Sequence, residues 1–297
     1  SFQDWKLSIY ILYEIMNKLS YRAPALDKGL DIVELLAVST VGLTQAQIAS
    51  HLKKSVNEIY RMLNTLKERG YLELNEVTDQ YKLSYKLLNL ASTFSPTKSL
   101  LEKANPIMKE IATKTNQSVH LSLYTTGKLL VIAQQDSGHV FNYHVSVGST
   151  FDLLETSSGR VILTFQTEQE RKRRLDRRKL FMKIENISVL PKKKLQEIEK
   201  KYSKQTIHRI KKDGYEIVKS LAIQGITNIS FPVFDNSGYA IAAITTPFLN
   251  RFNEKNQLSI DETAKILETY SSVLSKKLGY SFWNMSKIFN ILNLWMI

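Results

Sequence analysis

TQAQIASHLKKSVNEIYRMLNTLKERGYLEL, residues 44–74, contains two helix starts eleven positions apart. Thr44 with Gln47, and Ser55 with Glu58, have the spacing of capping boxes, in which hydroxyl and side-chain acceptor satisfy each other's orphan amides. Ile48, Ala49 and Leu52 make the first helix apolar on one side. Ile59, Met62, Leu63 and Leu66 do the same for the second, which is expected to stop at Gly70 in a left-handed cap. Two helices joined by a tight turn, the second longer and freshly capped, form a helix-turn-helix unit. Before it, Leu30, Ile32, Val33, Leu35 and Leu36 give a third apolar stripe. After it, Tyr71–Leu74 and Gln80–Leu83 alternate around residues 75–79, predicting a two-stranded wing.

The face of the second helix opposite its apolar stripe carries Asn57, Tyr60, Arg61 and Asn64, at i, i+3, i+4 and i+7. Amide and guanidinium groups match the donor and acceptor pattern of purine edges in a major groove. Thr44, Gln45, Ser55 and Lys67 complete the candidate DNA surface, with Lys82 and Lys86 placed to meet phosphate. Against this, residues 1–92 hold 11 basic and 10 acidic side chains, a net charge of only +1. A winged helix that mediates subunit contact, in a small-molecule or protein-binding module, is therefore the competing reading.

Residues 23–32 (APALDKGLDI), Gly42-Leu43-Thr44 and residues 59–72 (IYRMLNTLKERGYL) resemble the IclR family of bacterial transcription regulators. The resemblance implies a winged helix-turn-helix DNA-binding domain over 23–85 that reads a double-stranded operator. It also implies a homodimer or tetramer, paired through the stripe Leu87, Leu88, Leu90 and Ala91. The sequence departs from the family pattern at Val56, Asn57 and Glu58, so the operator sequence does not carry over.

Residues 85–115 read as helical with a break at Ser95-Pro96, giving a linker helix over 86–96 and a second domain over 97–280. Residues 118–124 and 129–134 flank a turn at Thr125–Lys128, and residues 226–234 and 239–245 flank Asp235–Gly238, so two hairpins are expected. Val140–Val147 is expected to be a further strand, and helices are expected at about 156–166, 192–212 and 254–278. The pattern is α+β: an antiparallel sheet with helices on it. Val119-His120-Leu121, Val147-Gly148, Gly214-Tyr215, Gly225-Ile226, Phe231–Asp235 and Arg251 resemble the effector-binding half of the same family, which has a GAF-like fold. That resemblance implies a small-molecule effector, an organic or sugar acid, under the loop and helix start at Leu153–Arg160. Gly148, Leu154, Glu155, Thr156, Ser157, Gly159, Ser220 and Asn228 are the candidate effector-binding residues. Free amides at such a helix start can receive an oxyanion, although the same residues also serve as ordinary caps. Glu155 and Asn228 depart from the family pattern, as does the sequence around Lys219-Ser220, so the ligand does not carry over.

Composition sets the outer limits. The 297 residues are 43% hydrophobic and 23% charged, enough for about two domains. With no cysteine, disulfides, thiolate zinc sites, iron–sulfur clusters and cysteine nucleophiles are excluded. The net charge of +13 is concentrated: Glu168–Asp213 holds 17 basic and 7 acidic side chains, net +10. Apolar residues at helical spacing run through this stretch (Leu195, Ile198, Tyr202, Ile207, Ile210), so its basic groups are expected on a solvated helix face rather than on DNA. No nucleophile elbow, Walker loop or zinc spacing is present, which predicts a regulator rather than an enzyme, without cofactor or metal. His139 and His144 with Asp136 are the nearest thing to a metal set, at a spacing no zinc pattern matches. The apolar segments at residues 5–16 and 288–297 (within a tail, 281–297) are expected to be terminal helices packed on the body, not membrane segments. A cytoplasmic protein is expected.

Overall fold

A computed structural model describes residues 23–93, 95–185, 191–202, 204–251 and 256–281. The expectations for the terminal segments lie outside these residues. The chain divides between Ser95 and Pro96 into two compact units.

The first unit runs α1 (Pro24–Val38), β1 (Leu43–Thr44), α2 (Gln45–Leu52), α3 (Val56–Glu68), β2 (Leu72–Asn75), β3 (Gln80–Leu83) and α4 (Lys86–Thr93). Both capping boxes form, Thr44 on α2 and Ser55 on α3. Gly70, just past the C-cap of α3, has φ 74°, the left-handed region that favours glycine. Ile32, Leu36, Ile48, Ile59, Leu63, Leu72 and Tyr81 make one buried core. β1 adds to the predicted hairpin through Leu43–Tyr81, so the wing is a three-stranded antiparallel sheet in the order β1-β3-β2.

The second unit contains α5 (Ser95–Thr115), β4 (Val119–Thr125), β5 (Lys128–Gln135), β6 (Thr150–Asp152), α6 (Ser157–Thr164), α7 (Glu168–Glu185), α8 (Lys192–Lys201), α9 (Lys204–Asp213), β7 (Glu216–Lys219), β8 (Ile226–Phe234), β9 (Ala240–Leu249) and α10 (Ile260–Lys277). Pro96 opens α5 instead of ending a helix, because a proline in the first turn removes only an amide that has no intrahelical partner. The sheet is antiparallel in the order β6-β5-β4-β9-β8-β7. Alternation along the strands sends Val119 and Leu121, Ile229, Phe231 and Val233, and Ile244 and Phe248 to one face, where α5 and α10 cover them. His120, Ser230, Ala243 and Thr245 have the opposite parity and face α6.

Three expectations are corrected. Val140–Val147 is not a strand. The Phe141 amide donates to His139 Nδ1 (3.0 Å) and its carbonyl accepts from Arg251 Nε (3.0 Å), so side chains occupy groups a ladder would need. The sixth strand is instead the short β6, reached through Gly148 at φ 88°. The terminal helix begins at Ile260, not 254, because Ser259 and Glu262 form a capping box there. The helix expected over 192–212 is two helices, α8 and α9.

The basic stretch also differs from a simple wet face. Arg178 of α7 is 1% exposed, and its guanidinium pairs with Asp152, itself 0% exposed, and with Glu199 of α8. Arg171 donates to the carbonyls of Leu163 and Gln166 at the end of α6 (3.0 Å each), and Arg174 lies over the Tyr124 ring at 4.4 Å. Lys172, Arg173, Arg177, Lys179, Lys193 and Lys194 remain exposed. Part of the +10 thus fixes helices to the sheet.

Candidate functional site

In the first unit, the amphipathic pattern of α3 turns Ile59 and Leu63 into the core and leaves Asn57, Tyr60, Arg61 and Lys67 exposed, with Asn64 half-buried beside them. These five candidates share one face. The Arg61 guanidinium makes no hydrogen bond or ion pair among the described residues, so all its donors stay available. The other candidates are differently used. Thr44 and Ser55 hydroxyls each accept an amide hydrogen bond of 3.3 Å, from Gln47 and Glu58. Gln45 Nε2 donates to the Val56 carbonyl at 3.2 Å, holding α2 against the start of α3. Lys82 lies 3.9 Å from Glu73 across the wing. Lys86 does not point at an open surface: its ammonium donates to the Arg69 carbonyl and sits 4.7 Å above the Tyr71 ring. Glu58 receives the Ser55 amide and the Lys28 ammonium (3.0 Å), which together hold its carboxyl down at about 2. An anion is thereby fixed at the first turn of α3, where the helix dipole favours it.

In the second unit, a cavity of about 80 Å³ opens between the helix side of the sheet, the start of α6 and the segment 220–222. That is several times the 10–15 Å³ one water needs. Glu155, Thr156, Ser157, Ser220 and Asn228, five of the eight expected effector residues, line it. The other three do not. Leu154 is core, its carbonyl accepting from Arg160 at 2.6 Å. Gly148 forms the turn into β6, and Gly159 packs so tightly on Leu153 that an added Cβ would stand 2.1 Å from the Leu153 carbonyl oxygen. Gly159 is there for packing.

The remaining wall comes from Ser158, within the helix start already expected to meet the effector, and from residues not among the expected ones: His120, Tyr143 and Thr245, with Leu129 and Phe151 among the apolar ones. Strand parity was the available signal, since His120 pairs with Thr245 across β4 and β9; which parity faces the cavity required knowing where α6 lies. Ser157 and Ser230 (2.6 Å), Ser230 and Thr245 (2.8 Å), and Thr245 and Ser158 (2.8 Å) link four buried hydroxyls in a chain along this floor. The His120 ring is 7% exposed, and burial lowers its pKa to about 4, so it is a neutral imidazole at physiological pH. Its Nδ1 has no hydrogen-bond partner among the described residues.

The cavity's mouth is held from below. Asp152 Oδ1 accepts the amides of Leu154 (2.8 Å) and Glu155 (3.2 Å), while Oδ2 takes Arg178. Thr156 caps α6 by accepting from the Gly159 amide at 3.1 Å, so one of the amides expected to receive an oxyanion is spent on ordinary capping, while the Thr156 O–H is not used by that bond. Arg160 pairs with Glu216 at 2.8 Å, tying α6 to β7. Among the described residues there is no group of three or more His, Asp or Glu side chains able to hold a metal ion; His144 instead faces Asp136 alone at 3.2 Å. No described helix is long and apolar enough to cross a membrane.

These two sites can be set beside known proteins. Residues 25–76 match the IclR helix-turn-helix domain, and residues 96–276 match the bacterial transcriptional regulator IclR C-terminal domain. The chain is 24% identical over 246 residues to the HTH-type transcriptional regulator KdgR of Escherichia coli (81% of this chain, 86% of that protein). It is 25% identical over 221 residues to the HTH-type transcriptional regulator BhcR of Paracoccus denitrificans (74% of this chain, 76% of that protein). Its fold is similar to that of the Thermotoga maritima IclR, with TM-score 0.63 and 24% identity over 86% of this chain and 98% of that one. It is likewise similar to an IclR homologue from Microbacterium hydrocarbonoxydans complexed with 4-hydroxybenzoate, with TM-score 0.67 and 17% identity over 86% of this chain and all of that one. Since the carboxy-terminal match alone covers more than half of its length, the chain belongs to the IclR family of bacterial transcription regulators.

Proposed function

We propose that this regulator reads a double-stranded operator with the exposed face of α3, as a homodimer or dimer of dimers in the cytoplasm. A small organic or sugar acid held in the 80 Å³ cavity would modulate that binding. The observation that carries the reading is the polar stripe Asn57, Tyr60, Arg61 and Asn64 on a doubly capped helix. The KdgR and BhcR relatives, named as transcriptional regulators, and the ligand-bound Microbacterium homologue support it. The ligand acts only if it binds one arrangement of the two reading heads better than another, since equal affinity shifts no population. Selection of genomic fragments followed by footprinting tests this. Failure to enrich any sequence at low salt would favour the winged helix as a subunit contact instead.

Two outcomes follow for named residues. Arg61→Ala or Asn64→Ala is expected to cost about 1–3 kcal/mol on the selected operator while leaving binding to random DNA nearly intact. Equal losses on both would assign these side chains to the phosphate backbone or to the fold. Lys193→Gln combined with Lys194→Gln is expected to leave the salt dependence of operator binding unchanged, because both side chains are exposed on a helix of the second unit. If the pair touched phosphates, the slope of log K against log salt would fall by roughly 0.9 for each phosphate the two lysines neutralise, and that result would extend the DNA surface beyond α3.

A further inference from the structure

His120 is a buried polar side chain that no hydrogen bond of the described fold uses. Its ring lines the cavity and is 7% exposed, and Nδ1 is shut away from solvent without a partner among the described residues. Nε2 is not enclosed in this way, and it too makes no hydrogen bond among the described residues. Thr245, its neighbour across the β4–β9 ladder, already has Ser158 and Ser230 on its hydroxyl, each at 2.8 Å. A neutral imidazole carries one N–H and one lone pair, and the surroundings of the two nitrogens decide which has which. In protein interiors an enclosed N–H left unmet is the rarer arrangement, and an unmet acceptor is better tolerated. The proton therefore belongs on Nε2, the nitrogen that is not enclosed. The floor beside it has one further donor to give. Ser157, Ser230, Thr245 and Ser158 share three hydrogen bonds, and each spends one of their four O–H groups, so a single O–H is left for a ligand. Leu129, Val145 and Phe151 supply apolar wall for a carbon chain.

We infer that His120 is a specificity-determining residue of this cavity, donating from Nε2 to a carbonyl or carboxylate oxygen of the effector. The inference rests on the cavity being the effector site, as proposed above. A polar group buried for a ligand rather than for the fold costs stability until the ligand meets it. Replacing it by an apolar side chain of similar size should therefore spare the empty protein and impair binding.

Two measurements on the full chain need no effector. With only the histidines labelled with ¹⁵N, the signal that His120→Gln removes is expected to show a protonated Nε2 and a bare Nδ1 at neutral pH. His120→Leu is expected to melt within about 3 °C of the wild type, or above it. For binding, the probe is 2-oxobutyrate, whose oxygens only accept hydrogen bonds at neutral pH, titrated by calorimetry. His120→Leu is expected to weaken it at least tenfold. His120→Gln, whose amide reaches the Nε2 position and donates there, is expected to stay within threefold of the wild type. A proton on Nδ1, or a glutamine variant that loses as much as the leucine one, overturns the donor assignment. A His120→Leu protein melting more than about 3 °C below the wild type assigns His120 to the fold, and a binding loss under tenfold removes it from the site. Each of these overturns the inference and leaves the cavity reading standing. No binding of 2-oxobutyrate by the wild type overturns the cavity reading and the inference with it.

Discussion

Arg178→Met is expected to destabilise the second unit by about 3–5 kcal/mol, the usual cost of removing one partner from a buried ion pair. The guanidinium is 1% exposed and its partner Asp152 0% exposed. Methionine fills much of the volume, so the loss isolates the charge. Asp152 would keep the Leu154 and Glu155 amides on one oxygen and lose the cation on the other. Arg178→Lys keeps a positive charge but not the fork that reaches Asp152 and Glu199 together, and should fall between the two. For a domain of this size each kcal/mol lowers the melting temperature by about 2–4 °C, so the methionine variant should melt roughly 6–20 °C lower. The double variant Arg178→Met with Asp152→Asn removes both charges and should recover part of that loss. A methionine variant melting within about 2 °C of the wild type would show that the pair stabilises nothing. Because Asp152 also positions the amide of Glu155, the same variant should loosen the cavity mouth.

Gly159→Ala is the second large effect, expected at about 3 kcal/mol or more, beyond the ordinary overpacking range of about 1–3 kcal/mol. Its methyl group would meet the Leu153 carbonyl oxygen at 2.1 Å and the carbonyl carbon and Cα at 2.8 Å. All three are backbone atoms, and α6 cannot back away because every one of its residues is buried. Gly148→Ala makes a useful contrast. There nothing lies within 4 Å, but φ is 88°, so only the backbone conformation resists, at roughly 1–2 kcal/mol. Urea unfolding of the full chain should therefore rank Gly159→Ala well below Gly148→Ala. The opposite ranking would mean that the loop before α6 gives way easily, and would undo the packing role assigned to Gly159. From sequence both glycines read as effector-binding residues; distances, not residue type, separate their roles.

The amino-terminal unit was legible almost residue by residue. Its decisive signals act over three or four positions: Thr44 to Gln47, Ser55 to Glu58, the α3 stripe, and the left-handed Gly70. Interactions that short are written into the chain whatever surrounds them. The two hairpins of the second unit were readable for the same reason, their turns lying between strands adjacent in sequence. What the sequence left open involves partners far apart along the chain. Val140–Val147 has strand composition, yet Arg251, 110 residues away, takes the Phe141 carbonyl, and no ladder forms. Arg178 looks like one member of a basic run until Asp152, 26 residues before it, draws it into the core. His120 and Thr245 become cavity residues only because β4 pairs with β9 and α6 covers that face. Local hydrogen bonds fix which segments are helices and turns. Which side of a strand lines the cavity, and which charges are buried, is fixed by long-range pairing, and that was decided only when the strands had paired and helices covered the two faces of the sheet.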